Sequence, residues 1–299
     1  MKLKIWFNGK IVNWDQAKVH VLTHTLHYGG GVFEGIRSYE TIDNRTAVFR
    51  LDDHLKRLFK SANSIYLKIP YSLDEIKKGV LNLLKVNNLK DAYIRPIAFW
   101  GEGKINLDPR NNPVNLAIIA FPFGAYLGEK PVKVLVSKYI RLHPQSVVSS
   151  AKVCGYYINS ILATIEAHQK GYDEALLLDY RGMIAEGAGE NIFIVKDKKL
   201  LTPKLGNILP GITRDTIIKI AKDYGIKVIE KDLNLKEVFN ADEVFFTGTA
   251  AEVVAIGKIN NKLINKGKEG EITKLLRETY KKIVRGEIRK YSKWLSYVN

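Results

Sequence analysis

The sequence predicts an α+β fold of two domains, and three observations carry that expectation. Segments of strand-like apolar runs and segments of helical apolar spacing both recur along the 299 residues, but without the strict alternation of a doubly wound sheet. The stretch Phe121–Pro131, punctuated by Pro122, Gly124 and Gly128, has the composition of an interdomain connection. The length is enough to fill two cores. We therefore expect a smaller N-terminal α+β domain over 1–121, a connecting loop over 122–131 and a larger C-terminal domain over 132–299.

The elements follow in order. Leu3–Phe7, an Asn8-Gly9 turn and Ile11–Trp14 read as a hairpin. Ala47–Leu51 reads as a strand. A helix capped by Asp52 or Asp53 follows, with apolar residues at Leu55, Leu58, Phe59, Ala62 and Ile65. Ser72-Leu-Asp-Glu75 is a capping box opening a helix that runs to about Leu84. Strands are expected over Ala92–Trp100 and Val114–Phe121, with the polar loop Gly101–Pro113 between them. Beyond the connection come a strand over Val132–Ile140 and a helix from about Asn159 to His168 closed by Gly171. Strands near Glu174–Asp179, Asn191–Val195 and Leu200–Thr202 follow. A helix opens after Leu209-Pro-Gly-Ile-Thr213 and stops at Gly225. Val228–Glu230 and Glu243–Phe246 read as short strands, and Glu271–Tyr297 as largely helical.

Composition narrows the function. With 46% hydrophobic and 26% charged residues the chain has the balance of a soluble globular protein. Its N-terminus lacks the apolar core of a signal peptide, and the most apolar stretch, Leu116–Leu127, is too short and too interrupted to cross a bilayer. The single Cys154 excludes an internal disulfide and fits a reducing compartment, so we expect a cytoplasmic protein with no membrane partner. The formal charge of +16 could attract nucleic acid, but the lysines are scattered among acidic residues instead of forming a basic arm. That pattern reads as a solvated surface of the thermophile kind, with no nucleic-acid role.

Several short motifs carry chemistry. Lys152 lies in Ala-Lys-Val-Cys-Gly-Tyr-Tyr (151–157), and Glu186 opens Glu-Gly-Ala-Gly-Glu-Asn (186–191). A lysine amine can form a Schiff base with an aldehyde, and a carboxylate can keep a pyridine nitrogen protonated. In Tyr28-Gly-Gly-Gly-Val-Phe-Glu-Gly-Ile-Arg-Ser-Tyr39 the glycines permit close backbone approach, and Phe33 and Tyr39 can wall a pocket. On one strand, Tyr93 and Arg95 share a face, which suits the grip of a carboxylate. Gly211-Ile-Thr213 at a helix start, and the turn Thr247-Gly-Thr-Ala250, are fit to hold a phosphate. Arg57 could add positive charge there. His20, His24 and His27 are spaced loosely like metal ligands. Lacking Cys or an i, i+4 pair, they read as turn and core histidines, and no metal is expected.

Taken together, YGGGVFEGIRSY (28–39), YIRP (93–96), EGAGEN (186–191), LPGITRD (209–215) and FFTGTAAE (245–252) resemble the class IV aminotransferases, the fold-type IV pyridoxal phosphate enzymes, in the family's order over nearly the whole chain. The branched-chain amino acid aminotransferases are the subgroup they match best. The resemblance implies that Lys152 attaches the cofactor and moves the substrate α-proton. It implies Tyr157 at the cofactor's phenolic oxygen, with Tyr156 as the alternative one position earlier, and Glu186 at the pyridine nitrogen. Arg57, Gly211, Ile212, Thr213, Gly248 and Thr249 would hold the phosphate, making the C-terminal domain the cofactor-binding one. Thr249, Ala250 and Tyr93 would meet the α-carboxylate; Arg95, Tyr28 and Tyr126 would receive a distal carboxylate. Phe33, Gly35, Arg37 and Phe123 would complete the substrate pocket. The loop 101–113, carrying Leu107, would reach a partner subunit in a homodimer or larger assembly. The implied reaction passes an amino group from leucine, isoleucine or valine to 2-oxoglutarate. A D-amino acid aminotransferase and an aminodeoxychorismate lyase are the alternatives within the fold.

Overall fold

The computed structural model describes residues 3–124, 127–128 and 130–298. The chain divides into two compact units: 1–124 with 151–156 and 283–299, and 125–150 with 157–282. Two short segments therefore return to the first unit, which a contiguous division near 122–131 does not anticipate.

In the first unit the strands are β1 (Lys4–Phe7), β2 (Lys10–Asn13), β3 (Gly31–Phe33), β4 (Ile36–Glu40), β5 (Thr46–Phe49), β6 (Ala92–Trp100) and β7 (Val114–Pro122). A last strand, Leu295–Tyr297, pairs antiparallel with β5 at the sheet edge. The Asn8-Gly9 turn works because both residues take positive φ, 46° and 86°. Strands β6 and β7 form the longest ladder, from Ala92 opposite Pro122 to Trp100 opposite Val114. The helices are α1 (His24–Tyr28), α2 (Leu51–Ser64) and α3 (Leu73–Val86). Leu51, Leu55, Leu58 and Ala62 of α2 and Ile76, Val80, Leu83 and Leu84 of α3 recur at helical spacing. They bury one stripe each in a core shared with Ile36, Ile94 and Ile118.

The expected caps of α2 are corrected. Arg50 occupies the N-cap in the left-handed region and makes no side-chain cap bond, and Asp52 and Asp53 lie inside the first turn. Trp294 O accepts from Arg50 N at 2.6 Å, and Asp53 Oδ2 accepts from Arg50 Nε at 2.6 Å. Asp53 therefore braces the corner through a side chain instead of capping backbone. The Ser72 box forms as the sequence suggests: Ser72 Oγ accepts from Glu75 N at 3.2 Å, and Glu75 Oε2 accepts from Ser72 N at 2.7 Å.

The second unit holds one mixed sheet of β8 (Val132–Val136), β9 (Glu174–Leu178), β10 (Ile184–Gly187), β11 (Asn191–Lys196), β12 (Lys199–Thr202), β13 (Val228–Glu230), β14 (Glu243–Gly248), β15 (Glu252–Ile259) and β16 (Lys262–Leu263). The order is β10-β9-β8-β15-β14-β11-β12-β13, with β16 on β15, and β8 lies parallel to both neighbours. Helices α4 (Tyr157–Gln169), α5 (Ile212–Asp223), α6 (Leu235–Phe239) and α7 (Glu271–Val284) complete it, the end of α7 passing into the first unit.

Two expected lengths are corrected. Strand β8 stops at Val136 and not at Ile140, because Ser137 Oγ and Lys138 N both turn to Glu166 Oε2, at 2.7 and 3.0 Å. The C-terminal segment is largely helical as expected but broken: α7 ends at Val284, a 3-10 helix covers Arg289–Trp294, and the strand Leu295–Tyr297 follows. Gly286 takes φ of 80° and donates its N–H to Ile283 O, the usual glycine exit from a helix.

Candidate active site

In the first unit, Lys152 is tied down through its backbone. Its N–H donates to Ser61 Oγ of α2 at 2.9 Å, and its carbonyl accepts from Phe33 N at 3.1 Å. Val153 bridges Val32, and Gly155 N donates to Gly29 O at 3.0 Å. Close approach demands a glycine here, since a Cβ on Gly29 would sit 2.8 Å from Gly155 Cα. Lys152 Nζ stands 4.8 Å from the Phe33 ring centre. Arg95 covers the same ring at 4.6 Å and donates Nη2–H to Tyr93 Oη at 2.8 Å, while its buried Nε has no partner among the described residues. Tyr93 and Arg95 thus share a face of β6, as residues two apart on a strand should. Gly35 lies against them, where a Cβ would fall 2.1 Å from Tyr93 Oη.

Around this cluster, Arg37 sits over the Tyr39 and Phe123 rings at 5.0 and 5.3 Å and donates to Phe123 O at 3.3 Å. Arg57 binds Glu34 through both oxygens: Nε donates to Oε1 at 2.6 Å and Nη2 to Oε2 at 2.9 Å. His54 Nδ1 adds a contact to Glu34 Oε2 at 2.8 Å. Burial opposes ionisation of Glu34, but the charge of Arg57 and hydrogen bonds from Arg57 and His54 bring its pKa down to about 2. Burial pushes the Cys154 thiol up to about 11, so it stays a thiol beside the lysine segment.

In the second unit, Glu186 on β10 is 6% exposed and accepts hydrogen bonds on both carboxylate oxygens. Arg141 Nε donates to Oε1 at 2.7 Å; Asn191 Nδ2 and Leu209 N donate to Oε2, each at 3.1 Å. These donors stabilise a buried carboxylate in its charged form. Asn191 also donates to Leu209 O at 3.0 Å, joining β11 to the loop before α5. Gly211 closes that loop, and a Cβ there would meet Asn191 Oδ1 at 1.9 Å. As N-cap of α5, Gly211 offers no side-chain cap, and Ile212 and buried Thr213 form the first turn, where backbone N–H groups face out of the helix start. Thr247 Oγ1, at the end of β14, is buried with no partner among the described residues, beside Gly248, Thr249 and Ala250.

A family model described as amino-transferase class IV matches residues 31–259. The chain belongs to the class IV aminotransferases. Among relatives of this aminotransferase, the branched-chain-amino-acid aminotransferase of Pseudomonas aeruginosa is 45% identical over 298 residues, covering 98% of this chain and 97% of that protein. The crystal structure of the branched-chain aminotransferase from the thermophilic archaeon Thermoproteus uzoniensis with norvaline superposes with a TM-score of 0.97 at 44% identity, covering both chains completely. The branched-chain amino acid aminotransferase from Thermobaculum terrenum in its PLP-form (holo-form) has a TM-score of 0.94 at 33% identity, with 100% of this chain and 99% of that chain covered.

The residues singled out in this aminotransferase's sequence divide by unit. Phe33, Gly35, Tyr93, Arg95 and Lys152 come together in the first, with Arg37 and Phe123 stacked nearby and Arg57 at Glu34. Glu186, Gly211, Ile212, Thr213, Gly248, Thr249 and Ala250 belong to the second, as does Tyr157, which opens α4. Tyr28 packs against His24 with the rings tilted by 39° and their centres 4.7 Å apart, and Leu107 is 85% exposed on the loop 101–113. Tyr126 lies outside the described residues. The histidines are held locally: His24 Nε2 contacts Asn106 O, His27 Nε2 contacts Val21 O, and His20 Nδ1 accepts from Leu22 N. Sequence reasoning passed over Glu34, His54 and Arg141. An acid inside the apolar run Val32–Ile36, and His54 three residues before Arg57 on one helix, were the available signals.

Proposed function

We propose that this chain is a pyridoxal phosphate-dependent branched-chain amino acid aminotransferase, moving an amino group from leucine, isoleucine or valine to 2-oxoglutarate. The single observation that carries the reading is the buried Glu186 carboxylate, hydrogen-bonded by Arg141, Asn191 and Leu209 N, paired in the family's motif order with Lys152. When bound, pyridoxal phosphate supplies an aldehyde for an amine and a ring that draws electrons from the substrate α-carbon. The donor set of this chain suits that group. The charged Glu186 can hold a proton on a pyridine nitrogen. The glycine-opened start of α5, and the Thr247 hydroxyl, which has no partner among the described residues, fit an anion.

Within this reading Lys152 Nζ, in its neutral form, would take the proton from the substrate α-carbon and hand it on within the same half-reaction, and in the second half-reaction it would deliver a proton to the α-carbon of the accepting 2-oxo acid. Its backbone ties to Ser61 and Phe33 restrict where that amine can be. Arg57, Gly211, Ile212, Thr213, Gly248 and Thr249 hold the phosphate. Tyr157 meets the phenolic oxygen; Tyr156 is engaged against the first unit's hydrophobic core. Thr249 and Ala250 receive the α-carboxylate with Tyr93, while Arg95, Tyr28 and Tyr126 receive the distal carboxylate of glutamate. Phe33, Gly35, Arg37 and Phe123 form the pocket for an alkyl side chain. A pocket that takes both leucine and glutamate needs apolar walls with a cation at hand, and Arg95 over Phe33 has that character.

A homo-oligomer in which Leu107 reaches a partner's site completes the reading. Two features support self-association: the exposed tip at Leu107, and Ile158, Ile161, Leu162 and Ile165, which recur at helical spacing on α4 at 57, 51, 39 and 48% exposure. No helix among the described residues is long and apolar enough to cross a membrane, and a cytoplasmic location fits the biosynthetic role.

The test is transamination of L-leucine with 2-oxoglutarate by the wild type and by Lys152→Ala. The wild type should be active and should prefer L-leucine to D-alanine. The variant should lose at least about 10²–10⁴-fold in turnover with its thermal melt retained. Borohydride reduction and peptide mass mapping should place the phosphopyridoxyl adduct on Lys152. Activity retained by the variant, or an adduct elsewhere, would overturn the assignment.

A further inference from the structure

We propose that Glu34 is the positioning residue for the phosphate-holding arginine, with His54 as its brace; this rests on the reading that Arg57 meets the phosphate. The Glu34 side chain is fully buried and His54 is 2% exposed, whereas Arg57 keeps 10%. Of these three side chains, Arg57 is the one that keeps the most exposure.

A buried ion pair is by itself weak grounds for stability, because desolvation offsets the attraction. Its geometry is the informative part. Glu34 takes Nε and Nη2 of Arg57 in a two-point fork, which fixes the plane and the rotation of the guanidinium and hence the direction of its third nitrogen. Oε2 also meets His54 Nδ1, one helical turn before Arg57 on α2, so the carboxylate cannot swing without losing a second donor. The Glu34 backbone is held as well, its N–H donating to Pro96 O at 2.9 Å. The residue before it, Phe33, carries the hydrogen bond to Lys152 O. Phosphate recognition and the lysine segment thus draw on adjacent positions of one strand end.

Charge and geometry predict opposite signs for one substitution. If Glu34 acted only as an anion near a phosphate site, Glu34→Gln would remove repulsion and tighten phosphate binding. If it orients Arg57, the same change loosens binding, and only for ligands that carry a phosphate.

The experiment measures equilibrium affinity of cofactor-stripped protein for pyridoxal 5'-phosphate and for pyridoxal, in wild type, Glu34→Gln, His54→Leu and Arg57→Gln. Glu34→Gln should weaken the phosphate ester about tenfold to a hundredfold, the loss of a charge-assisted fork, with pyridoxal affinity unchanged. His54→Leu should shift the preference in the same sense by less. Should Glu34→Gln fail to fold by thermal melt, His54→Leu decides. Unchanged or tighter phosphate binding in the deciding variant overturns the positioning role. If Arg57→Gln keeps the preference for the phosphate ester, the reading of Arg57 itself fails, and the proposal with it. If Arg57→Gln loses the preference while the deciding variant keeps it, only Glu34's role fails.

Discussion

Gly35 has no room for a side chain: its absent Cβ would overlap Tyr93 Oη at 2.1 Å. That hydroxyl is the acceptor that holds Arg95. Gly35→Ala should therefore push the phenol aside and release the guanidinium, with an overpacking cost of about 1–3 kcal/mol. We expect KM for 2-oxoglutarate, the substrate with the distal carboxylate, to rise more than KM for L-leucine. Steady-state kinetics with each substrate varied will measure the two, and an equal rise would mean that Gly35 serves only packing. The sequence disclosed this cluster unevenly. Tyr93 and Arg95 were legible because a strand places residues two apart on one face. Arg141 was not, because its partner Glu186 is 45 positions away and only the tertiary fold pairs them.

At the level of elements, the joint between the end of β3 and α2 titrates. Glu34 binds its last proton near pH 2 in the folded chain against an ordinary 4.5, held down by Arg57 and His54 against burial. Burial also lowers His54 from its ordinary 6.5, against the pull of Glu34 and with Arg57 and Arg50 adding to the lowering. Both groups bind fewer protons folded than unfolded below those ordinary values, so both stabilise at neutral pH and both contributions fade in acid. The Glu34 share is complete above pH 4.5 and disappears as pH falls to about 2, amounting to roughly 3 kcal/mol. Denaturant midpoints measured across pH 2–6 should fall steeply in wild type and less so in Glu34→Gln; parallel slopes would remove this linkage. The Ser72 box and the hydrophobic stripe of α2 were legible because local spacing determines them. Strand β15 escaped notice, since Val253–Ile256 is an unbroken apolar run that reads equally as buried helix. The α2 cap misled because Asp52 and Asp53 are good caps by type, while Arg50 turns the corner through its backbone.

For the whole molecule, +16 of formal charge coexists with an exposed apolar face on α4. Under the proposed self-association, like-charged copies would associate only where apolar burial outweighs their repulsion, and that stripe is the candidate surface. Ile161→Lys with Ile165→Lys should lower the sedimentation coefficient to that of a 33.9 kDa monomer and reduce turnover if Leu107 serves a partner's site. An unchanged assembly would exclude α4 from the interface.

The strand Leu295–Tyr297, docked on β5, also sets a timetable. A ribosome emits the hairpin and β5 early, yet the β5 margin of their sheet stays open until Leu295–Tyr297 has emerged. With synthesis at about 5–20 residues per second, that margin stays bare for tens of seconds while the intervening segments emerge. Edge-directed mispairing between nascent chains is the hazard particular to this topology, and a C-terminal fusion that delays the docking of Leu295–Tyr297 will lengthen it.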